Sequence, residues 1–266
     1  LSRADRLLPD TYENRDLWMN TPMNSGKDNT GGQPTGTFSS DVFSMWNYTN
    51  LYGAWNHKLF TAPGAWTDAA HKNGTDMMSG IKFFDTTGGN PNGGSEGWVN
   101  FIVKKDDQGN YIYAEPLINI LMYFGFDGIN YNWEASGYTD EDVIAFHKQL
   151  YKIAAEKGFN NFHSGIYTSI NMLTSQYANA LFGNEEGRTH DLMLNYMSGD
   201  FASANALKRT AQAAENAMGT TDGLYAGVWI VTMDRGWTKL NSSEEAKKLG
   251  VCLWGEHSQS RFWSYN

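Results

Sequence analysis

Phe124 to Glu134 reads FGFDGINYNWE, and its last seven residues carry two interleaved patterns. Side chains alternate across a strand, so Ile129, Tyr131 and Trp133 form one face and Asn130, Asn132 and Glu134 the other. In a barrel the apolar face packs on outer helices, which turns the three polar groups inward. A row of inward polar residues costs stability unless a hydrogen-bond network or a function retains it. A (β/α)8 barrel places its catalytic groups at the C-terminal ends of strands, and Glu134 ends this one.

Seven further short apolar or β-branched runs flank it. Before it come Leu17 to Met23, Tyr48 to Trp55 and Asp76 to Phe84; after it come Phe162 to Ser169, Asp191 to Met197, Leu224 to Val231 and Gly250 to His257. Helical patterns separate them, which is the alternation of parallel strands with crossover helices. The clearest helix is predicted over Asp140 to Lys157. Thr139 and Asp142 have capping-box spacing, Val143, Phe146, Leu150, Ile153 and Ala154 share one face, and Gly158 stands where a C-cap belongs. The fold class is therefore α/β, a (β/α)8 TIM barrel formed by residues 1–266 as a single domain. The sequence stops soon after the eighth strand, so the eighth helix is expected to be missing or irregular and the barrel to be a domain of a longer chain. Gly26 to Ser40 and Asp85 to Asn110 are expected to be long loops over the barrel mouth.

The 266 residues include 20 Lys+Arg and 29 Asp+Glu, a net charge of −9, with a pI near 5.1. That balance argues against a nucleic-acid partner, which needs a basic face. A mean hydropathy of −0.52 and the absence of a long apolar run exclude a membrane span. Cys252 is the single cysteine, so there is no intramolecular disulfide and no multi-cysteine zinc site. No dinucleotide fingerprint, P-loop or His-Glu-x-x-His occurs, and the expectation is no cofactor and no metal. Ten Trp and 14 Tyr beside many Asn suit a ligand with apolar faces and polar edges, as a sugar has, or else an aromatic-rich core. Asn47, Asn73 and Asn241 open N-x-S/T sequences, for which chance is the better reading.

FGFDGINYNWE resembles the segment of glycoside hydrolase family 85, the endo-β-N-acetylglucosaminidases, in which Asp-Gly is followed after three residues by Asn-x-Glu. It is distantly similar to the D-x-x-D-x-D-x-E signature of chitinase-type family 18, with Asn130 and Asn132 in place of aspartates. The resemblance extends along the chain. Tyr48 to Gly74 (YTNLYGAWNHKLFTAPGAWTDAAHKNG), Ile166 to Ile170 (IYTSI), Leu194 to Met197 (LNYM) and Gly227 to Gly236 (GVWIVTMDRG) resemble further family segments in the same order.

The resemblance implies cleavage of the β-1,4 bond in the N,N′-diacetylchitobiose core of an N-glycan, by a retaining, substrate-assisted route. Glu134 would be the acid and then the base, and the substrate's 2-acetamido oxygen the nucleophile. Asn132 would orient that acetamide, and Tyr167 would contact it. The implied partner is an N-glycan or glycoprotein, with accessory domains in the parent chain and a secreted or cell-surface location. Asn130, His57, Asn195, Tyr196, Trp229 and Trp254 are candidates for substrate binding, and the last four could equally fill the barrel core. His71, in a helix, and the pair Asp234 and Arg235 read as structural.

Departures from the family pattern, at Tyr177, Thr168, Met197, Ser198 and Trp229, fall at the mouth and bear on substrate range. Two rivals stay open. A two-carboxylate glycosidase would need Asp85 or Glu256, because Leu224 to Val231 carries no acid. A non-catalytic glycan-binding barrel would retain the fold without turnover.

Overall fold

The computed structural model describes residues 15–21, 43, 45–55, 62, 64–82, 101–134, 138–196, 204–229 and 237–255. Eight parallel strands close on themselves: β1 (Leu17–Thr21), β2 (Leu51–Ala54), β3 (Asp76–Lys82), β4 (Gly128–Asn132), β5 (His163–Tyr167), β6 (Asp191–Tyr196), β7 (Leu224–Trp229) and β8 (Gly250–Trp254). β8 pairs with β1 through Leu17↔Val251 and Asn20↔Trp254, which closes the ring. The helices are α1 (Gly64–Lys72), α2 (Ala114–Phe124), α3 (Glu141–Glu156), α4 (Ser175–Leu181), α5 (Ala204–Met218) and the single-turn α6 (Glu244–Lys247). The architecture is a (β/α)8 TIM barrel with fewer than eight helices among the described residues. Asp85 to Asn100, all of Gly26 to Ser40 and the residues after Gly255 lie outside the described residues. The end of the expected Asp85 to Asn110 loop, residues 101–110, forms a short helical segment and a turn, with a β-bridge between Lys105 and Tyr111.

Strand alternation produces two separate apolar clusters. The outer one joins Met77, Ile129, Tyr131, Leu192, Ala226 and Val251 to helix residues such as Val143, Phe146 and Leu150. The inner one, which fills the barrel, contains Trp18, Leu51, Met78, Met193, Tyr225 and Cys252 beneath Tyr167. Glycines make room for the bulky members. A β-carbon on Gly165 would lie 3.0 Å from the Trp18 ring and 2.8 Å from Met78 Cε, and one on Gly53 would lie 2.7 Å from Trp18 Nε1.

The N-terminal end of the barrel is charged. His163 on β5 lies 3.0 Å from Asp76 on β3 and 2.8 Å from Asp191 on β6. Asn161 donates to Asp76 and Asp127, and His71 of α1 meets Asp127 at 2.6 Å. Asp127 also accepts from the Met77 backbone N–H. This end fixes the starts of three strands, the stabilising face of such a barrel. Burial works against a charge on His163, but the two carboxylates outweigh it and raise its pKa to about 10.

The α3 cap differs from the expected Thr139–Asp142 pairing. Asp140 is the N-cap, its carboxylate accepting from the Asp142 N–H at 2.8 Å. Asp142 instead faces Lys105 and the Tyr111 hydroxyl, each at 2.8 Å. A carboxylate in that first turn has a cation and a phenol to satisfy, so it does not fold back on the cap. The C-terminal expectation holds, with Gly158 at φ 73° after the last helical turn.

Candidate active site

β4 presents the two faces expected from its sequence. Tyr131 points outward, its hydroxyl 2.9 Å from His147 Nε2 on α3. His147 Nδ1 faces the Val143 carbonyl at 2.6 Å, so Nδ1 carries the hydrogen and Nε2 accepts from the phenol. Burial keeps this imidazole neutral, with a pKa lowered to about 4. Trp133 packs against Tyr131 on the same outer side.

The inner face rises from an amide layer to the mouth. Asn130 Nδ2 donates to Asn20 Oδ1 at 2.8 Å and to the Ala54 carbonyl at 3.3 Å, and Asn20 Nδ2 meets Met193 Sδ at 3.4 Å. Asn130 is thus buried between β1, β2 and β4, and its own Oδ1 has no hydrogen-bond partner among the described residues. Its β3 neighbour in the register is Gly80 and its β5 neighbour Gly165, which leaves space for this contact.

One step higher, Asn132 pairs with Tyr167 in the β4–β5 register. Asn132 is 7% exposed, and its Oδ1 is buried without a hydrogen-bond partner among the described residues. A buried, unpaired amide oxygen costs on the order of 1–3 kcal/mol, so this atom is open to a donor from beyond the described residues. Glu134, two residues beyond, is exposed and accepts from the Tyr167 hydroxyl at 3.1 Å. Tyr167 in turn accepts from Asn195 Nδ2 on β6 at 3.0 Å. Burial, then the nearby Glu134 charge and their hydrogen bond, push the Tyr167 phenol well above its ordinary range, so it remains a donor at all working pH values.

Aromatic rings wall this group. Trp55 meets Tyr167 edge-on at 5.3 Å, Trp254 lies 6.2 Å from Tyr167, and Trp229 stacks with Trp254 at 6.1 Å and 24°. Trp254 Nε1 and Asn195 Oδ1 are also buried without partners among the described residues. Asn132 Oδ1 and Trp254 Nε1 thus present one acceptor and one donor beside the Glu134 carboxylate, between aromatic rings. Among the described residues no group of three or more His, Cys, Asp or Glu side chains could hold a metal ion, and no helix is long and apolar enough to cross a membrane.

Of the expected site residues, Glu134, Asn132, Tyr167, Asn195, Trp229 and Trp254 converge at the mouth, whereas Asn130 lies beneath it. Tyr196 ends β6, and its side chain, like all of His57, Asp85, Asp234, Arg235 and Glu256, lies outside the described residues. Trp55 joins the group at the mouth and Asn20 the amide layer beneath it, although the sequence reading singles out neither. Strand alternation counted from the inward Leu51 reaches Trp55, two residues beyond Gly53.

The chain matches the family model described as glycosyl hydrolase family 85 over residues 24–260. Among solved structures it is similar to the glycoside hydrolase domain of Endo-D from Streptococcus pneumoniae R6, with a TM-score of 0.67, 17% identity, and coverage of 95% of this chain and 40% of that one. It is similar also to a family 18 chitinase from Chromobacterium violaceum (TM-score 0.51, 13% identity, 94% and 79% coverage). A fungal family 18 endo-β-N-acetylglucosaminidase gives 0.52, 12%, and 94% and 95%. At these identities the likeness speaks for the fold. The chain spans about two fifths of the Endo-D structure it matches. No curated protein matches it in sequence. The family match covers most of the chain and includes the strand that carries Asn132 and the approach to Glu134, and the chain belongs to glycosyl hydrolase family 85.

Proposed function

We propose that this chain is an endo-β-N-acetylglucosaminidase that cleaves the β-1,4 bond of the N,N′-diacetylchitobiose core of N-glycans, with retention and through a sugar oxazoline. The observation that carries the reading is the pair at the end of β4: a buried amide oxygen without a partner, on Asn132, beside an exposed carboxylate, on Glu134, that Tyr167 holds.

The acetamide N–H of the sugar donates to Asn132 Oδ1, which turns the acetamide oxygen toward the anomeric carbon. Glu134 protonates the departing glycosidic oxygen as that bond breaks, and the acetamide oxygen bonds to the anomeric carbon on the opposite face. The Asn132 amide stabilises the positive charge that develops on the resulting oxazolinium ring. Glu134, now ionised, takes a proton from water as the water opens the ring, restoring the original anomeric configuration. The substrate supplies the nucleophile, so one enzyme carboxylate suffices, unlike the paired carboxylates of other retaining glycosidases. Trp254, Trp229 and Trp55 enclose the sugar and limit competing water. Among the described residues the strand carboxylates other than this site, Asp76 and Asp191, begin their strands at the opposite end of the barrel.

The test is mass spectrometry of a high-mannose glycopeptide incubated with the chain and, in parallel, with Glu134→Gln. A product retaining one N-acetylglucosamine on asparagine, absent with the variant, supports the proposal. Binding of several glycan types without cleavage of any would overturn it in favour of a non-catalytic barrel.

A further inference from the structure

The mouth contains a hydrogen-bond chain that the reaction does not by itself require. Asn195 Nδ2 donates to the Tyr167 hydroxyl at 3.0 Å, and that hydroxyl donates to Glu134 Oε1 at 3.1 Å. Three strands contribute one residue each: β6, β5 and the segment that leaves β4. A phenol oxygen ordinarily donates once and accepts once. With its acceptor position taken by Asn195, the Tyr167 hydroxyl keeps its hydrogen for Glu134.

That direction of donation decides where the catalytic proton sits. A protonated carboxyl has one O–H and one carbonyl-like oxygen. Since Oε1 receives the Tyr167 hydrogen, it serves as the acceptor, and the acid proton of Glu134 resides on Oε2. We propose that Asn195 is a positioning residue which acts through Tyr167 to hold the transferable proton of Glu134 on Oε2. Without the Asn195 donor, the phenol oxygen is free to accept from Glu134, and the proton shifts to Oε1, where Tyr167 holds it away from the departing oxygen. This inference rests on the proposed acid/base role of Glu134. It assigns Asn195 no contact with the reacting atoms.

Asn195 is partly buried and its Oδ1 has no partner among the described residues, so among these residues substitution breaks one side-chain hydrogen bond, the one to Tyr167. Two variants separate the donor from mere packing. Asn195→Ala removes the side-chain amide. Asn195→Asp preserves its shape and replaces the donor with an acceptor, which draws the Tyr167 hydrogen away from Glu134.

The experiment is steady-state kinetics on a chitobiose-core glycopeptide with the wild-type chain, both Asn195 variants, Tyr167→Phe, and Tyr167→Phe combined with Asn195→Ala. Expected for Asn195→Ala is a loss of about 3- to 10-fold in kcat with KM changed less than about 2-fold, the scale of one hydrogen bond between neutral groups. Asn195→Asp should lose more than Asn195→Ala. In the Tyr167→Phe background, Asn195→Ala should cost less than about 1.5-fold further, because the residue through which it acts is gone. Additive losses, an effect confined to KM, or wild-type kcat in Asn195→Asp would each overturn the inference while leaving the proposed activity standing. A wild-type chain that cleaves no chitobiose-core substrate overturns that activity, and this inference with it.

Discussion

Tyr167 and Glu134 meet at the barrel mouth, hydroxyl to carboxylate at 3.1 Å, where Tyr167 ends β5 and Glu134 stands two residues past the end of the neighbouring β4. The strands are locked at that level, since Asn132 and Tyr167 are register partners and the Trp133 N–H donates to the Tyr167 carbonyl at 2.9 Å. The geometry is therefore set by backbone pairing more than by the side chains themselves. Tyr167→Phe should leave the fold intact and lower kcat by about 10- to 100-fold, the scale of one hydrogen bond to a charged partner. Kinetics on a chitobiose-core glycopeptide check this, and a wild-type kcat would remove Tyr167 from the mechanism.

Loss of the Glu134 carboxyl should cost more than loss of the phenol that holds it. Glu134→Gln preserves shape and the acceptor for Tyr167 but cannot donate or take the acid proton. Hydrolysis is expected to fall by at least the ~10²- to 10⁴-fold of general acid–base catalysis, while glycan affinity measured by calorimetry stays within about 3-fold of wild type. Because Glu134 is exposed, melting temperature should hardly change. Unchanged turnover would falsify its assignment.

Asn132 is expected to act in one half of the reaction more than in the other. Its unpaired buried oxygen meets the acetamide before the oxazoline forms, so Asn132→Ala should impair cleavage of the glycopeptide far more than hydrolysis of a preformed sugar oxazoline. The ratio of the two losses is the readout, and equal losses would count against an acetamide role.

Much of this is legible in the alternation of single strands. GINYNWE displays its inner and outer faces in the sequence, and the same rule applied to Gly250 to Trp254 separates Val251 and Leu253 in the outer cluster from inward Cys252. The strands expected from sequence extend further than the pairing does, because alternation continues past Asn132 into Trp133 and Glu134 after the ladder has ended. Sequence does not show the company each residue keeps. His163 meets Asp76 and Asp191 only because closure of the sheet brings three distant segments to one end. That Asn130 meets Asn20 one level below Asn132 is likewise hidden, since nothing local distinguishes a polar residue of the amide layer from one at the mouth above it.

The same closure makes stability pH-dependent on both sides of neutrality. His163 has a folded pKa of about 10, above its ordinary 6.5, so its contribution is fully present below pH 6.5 and is lost as pH rises toward 10. His147, buried beside Tyr131, has a folded pKa of about 4. The unfolded chain then binds a proton that the folded one does not, and stability falls as pH drops from about 6.5 toward 4. Urea denaturation, followed from about two pH units below the ordinary histidine value to about three above it, should show a maximum near neutrality. His163→Gln should lower that maximum and flatten the alkaline limb; an alkaline limb of unchanged slope would mean that His163 is not charged in the folded protein.

Two nearby glycines should differ in what they cost when replaced. Gly125 follows α2 at φ 77°, and a β-carbon there meets nothing within 4 Å, so Gly125→Ala bears only the left-handed strain of about 1–2 kcal/mol. Gly128 opens β4, and a β-carbon there would lie 2.1 Å from the His163 carbonyl oxygen and 2.9 Å from His163 Cβ. A backbone oxygen cannot rotate away, so relief requires β5 to move from β4. Overpacking of this kind costs about 1–3 kcal/mol or more. It also displaces the strand that carries Tyr167 and ends opposite Asn132. Gly128→Ala should therefore lose both stability and kcat, whereas Gly125→Ala loses stability alone. Urea denaturation and kinetics on the two variants side by side decide the matter, because a Gly128→Ala variant with wild-type kcat would show that the mouth tolerates a shift of β5 against β4.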